Sequence, residues 1–118
     1  IGDTPPFLLA LNAVVEILPR AGGKKRTRVP LDRFFVGYRK TKLKPGDVIT
    51  AIEFDLPKKD EVFRFYKNSQ RKDLDISCVN ASIWLKRDSN GKITGARIAC
   101  GGVAATPLRI PSAEKSII

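Results

Sequence analysis

Asp73 and Asp75 stand two residues apart in Lys72-Asp73-Leu74-Asp75-Ile76, a pair of carboxylates that could share a metal ion or divide acid and base roles. Between two strand-like stretches, carboxylates at this spacing more often shape a turn. Lys67 closes an aromatic stretch, Phe65-Tyr66-Lys67, and taken alone reads as a solvated surface cation. Gly91-Lys92 and Gly101-Gly102 match neither the G-x-x-x-x-G-K-[ST] nor the G-x-G-x-x-G spacing that cradles phosphates, so they read as turn and close-approach positions. The chain has no histidine and two cysteines, Cys78 and Cys100. Zinc fingers, iron–sulfur clusters and Ser/Cys-His catalysis therefore lack ligands or base within it. No catalytic and no metal-binding residue is expected here.

The elements that would position these residues are short. Asp3-Thr4-Pro5-Pro6 predicts a helix start, with Asp or Thr capping and proline in the first turn, and a brief helix through Phe7–Leu11 follows. Val14–Leu18 favours a strand, Pro19 and Ala21-Gly22-Gly23 break it, and Lys24–Val29 returns as a polar second strand, giving a hairpin with a basic tip. Leu31–Phe35 predicts a helical turn that tucks Phe34 and Phe35 inward, and Pro45-Gly46 a turn. In Val48–Leu56 the even positions are mostly apolar, which points Ile49 away from the strand's core face. Val62–Lys67 reads as a further strand.

Asp88-Ser89-Asn90-Gly91 predicts a two-residue type I′ hairpin pairing 76–87 with 92–100. That register opposes Ala81 to Cys100, Ile83 to Ile98 and Leu85 to Ala96 on one apolar face, with Trp84 on the other as a packing anchor. Cys78 then falls on the opposite side from Cys100, which predicts two free thiols and a reducing, cytoplasmic compartment.

With 118 residues, 42% hydrophobic and 29% charged, the chain is one modest domain at most. Its apolar runs are far short of the ~18 residues that cross a bilayer, and no signal peptide opens it. A chain without methionine that opens on Ile1 and ends soon after the helix signal at Pro111–Glu114 reads as a piece of something longer, cut at both ends. Of the +10 net charge, residues 20–44 carry ten bases against one acid. Such a patch suits an anionic partner or a solvated hairpin. Its aromatics, Phe34, Phe35 and Tyr38, are bunched rather than interleaved with the bases, which argues against single-strand nucleic-acid binding.

Five segments in order carry a family pattern: Gly2–Pro6, Phe34–Thr41 (FFVGYRKT), Pro45–Ile49 (PGDVI), Phe65–Ser77 (FYKNSQRKDLDIS) and Arg97–Ala104 (RIACGGVA). Together they resemble the flavin-domain portion of the molybdenum hydroxylases, and most closely the FAD-containing small subunit of the bacterial xanthine dehydrogenase type. The resemblance implies an α+β fold, an antiparallel sheet with flanking helices like the CO dehydrogenase flavoprotein C-terminal domain, truncated at both ends. It implies the end of the FAD-binding subdomain over residues 1–35 and a C-terminal flavoprotein subdomain over 36–118. It also implies a parent enzyme passing electrons from a molybdopterin centre through 2Fe-2S clusters to FAD and then NAD. The cofactor-contacting positions of the family match Asp3, Ile49 and Lys67. The loop from Asn68 to Ser77 matches the segment bordering nicotinamide access, with Arg71, Asp73 and Asp75 shaping it. The glycine-containing FAD loop, the iron–sulfur domain and the molybdopterin subunit would lie elsewhere as partners, so this segment alone is expected to be inactive and to bind FAD weakly or not at all. The competing reading is a basic module that docks on nucleic acid or an acidic protein.

Overall fold

The computed structural model describes residues 2–20 and 25–118. Helix α1 (Thr4–Ala10) opens the chain, with proline in its first turn where no amide donor is missed. Strands β1 (Val14–Leu18) and β2 (Thr27–Pro30) pair antiparallel, opposing Val15 to Val29. The tip predicted at 21–24 lies outside the described residues. A 3₁₀ turn, Leu31–Arg33, buries Phe34 and leaves Phe35 half-buried at the start of β3 (Phe35–Gly37), which pairs with β4 (Lys40–Thr41). The Pro45-Gly46 turn forms as expected, with the Asp47 amide donating to the Lys44 carbonyl at 3.0 Å.

Strand β5 (Val48–Glu53) joins the free edge of β1, giving the order β2-β1-β5. That pairing runs across the division expected at 35/36. Between Glu16 and Ile17 the register slips by one residue, so Ile49 opposes buried Ile17 while Ile52 opposes buried Val15. Cross-strand partners share a face. Ile49 therefore lies on the same side as Ile52, and the expectation that it points away fails because the bulge breaks the two-residue period.

A second, four-stranded antiparallel sheet, β6-β7-β8-β9, follows: β6 (Glu61–Asn68), β7 (Val79–Arg87), β8 (Ile93–Gly101) and β9 (Leu108–Arg109). The helix α2 (Pro111–Ser116) ends the described elements. The β7–β8 register is the one expected, with Ala81 opposite Cys100, Ile83 opposite Ile98 and Leu85 opposite Ala96. The turn differs from type I′. Gly91 alone has positive φ (+82°), its amide donates to the Asp88 carbonyl at 3.1 Å, and the Asp88 amide donates to Lys92 at 2.9 Å. This is a three-residue loop with a glycine bulge, and the slip after Lys86 restores the predicted pairing. Cys78 and Cys100 are both free thiols.

Helix α1 sits between the two sheets. Leu8, Leu9 and Ala10 share one core with Val15, Ile17, Val29, Leu31 and Phe34, and with Ala99 of β8. The face of the large sheet that α1 covers is the one bearing Asn80, Ser82 and Trp84, all buried, while Ala81, Ile83 and Leu85 on the reverse are only half-buried. Trp84 is an anchor as expected: its indole donates to Glu61 at 3.0 Å and Arg97 lies 3.5 Å above its ring. The architecture is α+β. No helix among the described residues is long and apolar enough to cross a membrane.

Candidate functional site

The site forms where the start of α1 meets β6 and β7. Asp3 occupies the N-cap position, yet its carboxylate makes no capping bond to the helix. It turns to the sheet instead. One oxygen, Oδ1, accepts from the Ser77 hydroxyl and, at 3.0 Å, from the Asn80 side-chain amide; the other, Oδ2, accepts from Lys67 Nζ at 2.9 Å. The Ser77 hydrogen bond first, and the Lys67 cation beside it, hold the Asp3 carboxyl below the usual carboxylate range. Asn80 also donates to the Gly2 carbonyl at 3.4 Å, so this one amide fixes both the backbone and the side chain at the helix start.

Lys67 stands opposite Asn80 across the β6–β7 ladder. Its ammonium has a second acceptor, the Asp75 carbonyl, at 2.6 Å. The Asp75 carboxylate in turn accepts the amides of Arg71 at 2.8 Å and Ile76 at 3.1 Å, and these bonds, the Arg71 amide foremost, hold its carboxyl below the usual range. Arg71 and Asp75 thus shape the loop between β6 and β7 as expected, and the Cys78 amide closes it on the Asn68 carbonyl at 2.8 Å. Among the described residues no cluster of acids, cysteines and histidines is arranged to hold a metal.

Beside the ion pair lies a hollow of about 280 Å³ lined by Asp3, Thr4, Phe7 and Phe65. Phe7 is held edge-on by Phe63 at 5.1 Å and Phe54 at 6.0 Å between centroids. The lining therefore combines aromatic surface with one carboxylate, that of Asp3, which is paired with the Lys67 ammonium at 2.9 Å. Of the three residues expected at a cofactor, the structure brings Asp3 and Lys67 together. Ile49 does not line this hollow; it lies on β5, whose chain reaches the aromatic cluster only at Phe54, roughly 17 Å of extended chain further on. A second cleft of about 350 Å³ opens between the β3–β4 hairpin and the 101–107 loop.

Ser77, Asn80, Phe7 and Phe65 were not singled out from the sequence. A signal existed for Asn80: with Ser82 it places polar side chains on alternate positions of a strand whose same face carries Trp84, and a buried polar residue is more informative than a buried apolar one.

Two family models match the chain in succession: the FAD binding domain in molybdopterin dehydrogenase over residues 1–58, and the CO dehydrogenase flavoprotein C-terminal domain over residues 64–118. Xanthine dehydrogenase of Emericella nidulans is 34% identical over 97% of this chain, and that of Blastobotrys adeninivorans 40% identical over 87%. Among solved structures, carbon monoxide dehydrogenase from Hydrogenophaga pseudoflava superposes with a TM-score of 0.87 over 99% of the chain at 26% identity. The chain spans only 8% and 7% of the length of the two xanthine dehydrogenases and 39% of the solved chain.

Proposed function

The chain belongs to the flavin-binding family of the molybdenum hydroxylases, and on that premise we propose that it is one segment of the FAD-containing subunit of a xanthine-dehydrogenase-like oxidoreductase, forming part of the flavin pocket wall. The observation that carries this reading is the Lys67–Asp3 ion pair beside an aromatic hollow. That donor set suits a planar heterocycle. Phe7 and Phe65 offer apolar surface that excludes water, and Lys67, with two acceptors among the described residues, keeps a third N–H for a ligand.

Bound FAD would supply the electron transfer from iron–sulfur clusters to NAD, chemistry that belongs to the cofactor rather than to the chain. Lys67 would donate to the flavin and favour negative charge on it, because a fixed cation needs no reorganisation when that charge appears. Asp3 keeps Lys67 placed, and Ile49 would add an apolar contact from β5. The partners of this reading are the rest of the FAD/iron–sulfur subunit, a molybdopterin subunit and NAD, in the cytoplasm. Choice of substrate, purine or aldehyde, would rest with the molybdenum site, so this segment alone would be inactive. The other reading of the basic segment, docking on nucleic acid or an acidic protein, gains no support: both family models that match the chain are flavoprotein models.

Lys67→Ala in the full-length protein tests the proposal. Loss of one charge-assisted hydrogen bond is expected to weaken FAD binding by roughly tenfold or more, read as flavin content per polypeptide after gel filtration. Unchanged flavin content and an unchanged flavin reduction potential would overturn it.

A further inference from the structure

Resting on the flavin-wall reading, we infer that Ser77 and Asn80 are positioning residues: they fix the Asp3 carboxylate, and through it aim the Lys67 ammonium at the flavin. Lysine carries a compact charge on a flexible stem, so its direction is set by its acceptors. One of these, Asp3, comes from a different element than β6 and could itself rotate. Its two oxygens are divided between tasks. Oδ1 takes the Ser77 hydroxyl and the Asn80 amide, which leaves Oδ2 for Lys67.

Both positioning residues are 2% exposed, in places where an apolar side chain would be the simpler occupant. The amide of Asn80 has no choice of orientation, because its two neighbours, the Gly2 carbonyl and Asp3 Oδ1, are both acceptors. Its own carbonyl oxygen is buried and unpartnered, an arrangement that costs stability and is offset by the two N–H bonds. Gly101 makes room for it, since a Cβ there would stand 2.7 Å from that oxygen. The amide is thereby locked on one side by a missing side chain and on the other by the carboxylate it holds.

A double-mutant cycle on flavin affinity in the full-length protein tests this. Ser77→Ala is expected to raise the FAD dissociation constant roughly tenfold, and to add little once Lys67 is already alanine, because it acts through that residue. In the flavin-free protein, the carboxyl resonance of Asp3 should titrate closer to an ordinary aspartate in Ser77→Ala. Asn80→Ala runs the same cycle if the serine variant folds poorly. Equal losses in the wild-type and Lys67→Ala backgrounds would overturn the inference and leave Ser77 a packing residue only. If Lys67→Ala binds FAD normally while Ser77→Ala still moves the Asp3 titration, the flavin reading falls and takes the positioning role with it, although the hydrogen bonds stand.

Discussion

At the residue scale, Asp3 departs from the role its position dictates. An aspartate before Thr-Pro-Pro would satisfy orphan helix amides, but the helix is only seven residues long and its first-turn prolines have no amide to offer. The carboxylate is freed for the sheet, where three donors converge on it. Those donors favour its ionised form, and the sign of the pH effect follows. A carboxyl whose native pKa lies below its unfolded value stabilises the fold fully above the unfolded pKa, about 4, and loses that contribution as pH falls through the lower native value. Flavin retention in the full-length protein should therefore hold from neutrality down to about pH 4 and fall below it. Asp3→Asn, which cannot ionise, should bind less FAD at pH 7 and lack that acid-dependent step. Matching acid profiles for the two proteins would remove Asp3 from the account.

At the scale of elements, two glycines in the large sheet separate steric from conformational constraint. Gly101 ends β8 where a Cβ would meet Asn80 Oδ1 at 2.7 Å and Pro6 Cγ at 2.9 Å, so the strand, the amide and α1 touch through it. Gly101→Ala should cost about 2 kcal/mol by overpacking, measured as a lower urea midpoint, and should loosen the helix start that carries Asp3. Gly91 has open space around it but a φ of +82°, so Gly91→Ala should cost about 1 kcal/mol through the backbone alone and leave the Asp3 site untouched. The β7–β8 register was legible because alternation and an Asn-Gly turn agree on it. The type of turn was not, since a three-residue loop with a bulge and a two-residue loop deliver the same pairing beyond the slip. Nor was the slip in β1–β5 that turns Ile49 toward the face of Ile17, because a bulge in one strand is imposed by its partner.

At the scale of the whole molecule, α1 joins the two larger sheets, and apolar side chains stay exposed on both faces of β5 and beyond it: Val48 at 57%, Ile52 at 44% and Leu56 at 76%. The described residues contain no glycine-rich phosphate cradle, and the aromatic hollow is lined by Asp3, Thr4, Phe7 and Phe65 alone. Titrating the isolated 118-residue chain with FAD is accordingly expected to show no sub-micromolar binding, whereas the full-length protein is expected to retain flavin through purification. Tight binding by the isolated chain would mean the wall described here is the whole site. What the sequence determined by itself was local or cumulative. The β7–β8 pairing, free thiols and the order of five motifs each depend on residues near one another along the chain or on their simple succession. What only the tertiary structure decided was which face of the large sheet is covered. Hydropathy favours the side of Ala81, Ile83 and Leu85, yet α1 lies on the side of Asn80 and Ser82. The reason is that the Asn80 amide and the Ser77 hydroxyl can be buried because they find an acceptor, the Asp3 carboxylate, and that acceptor lies 74 or more residues away in the chain.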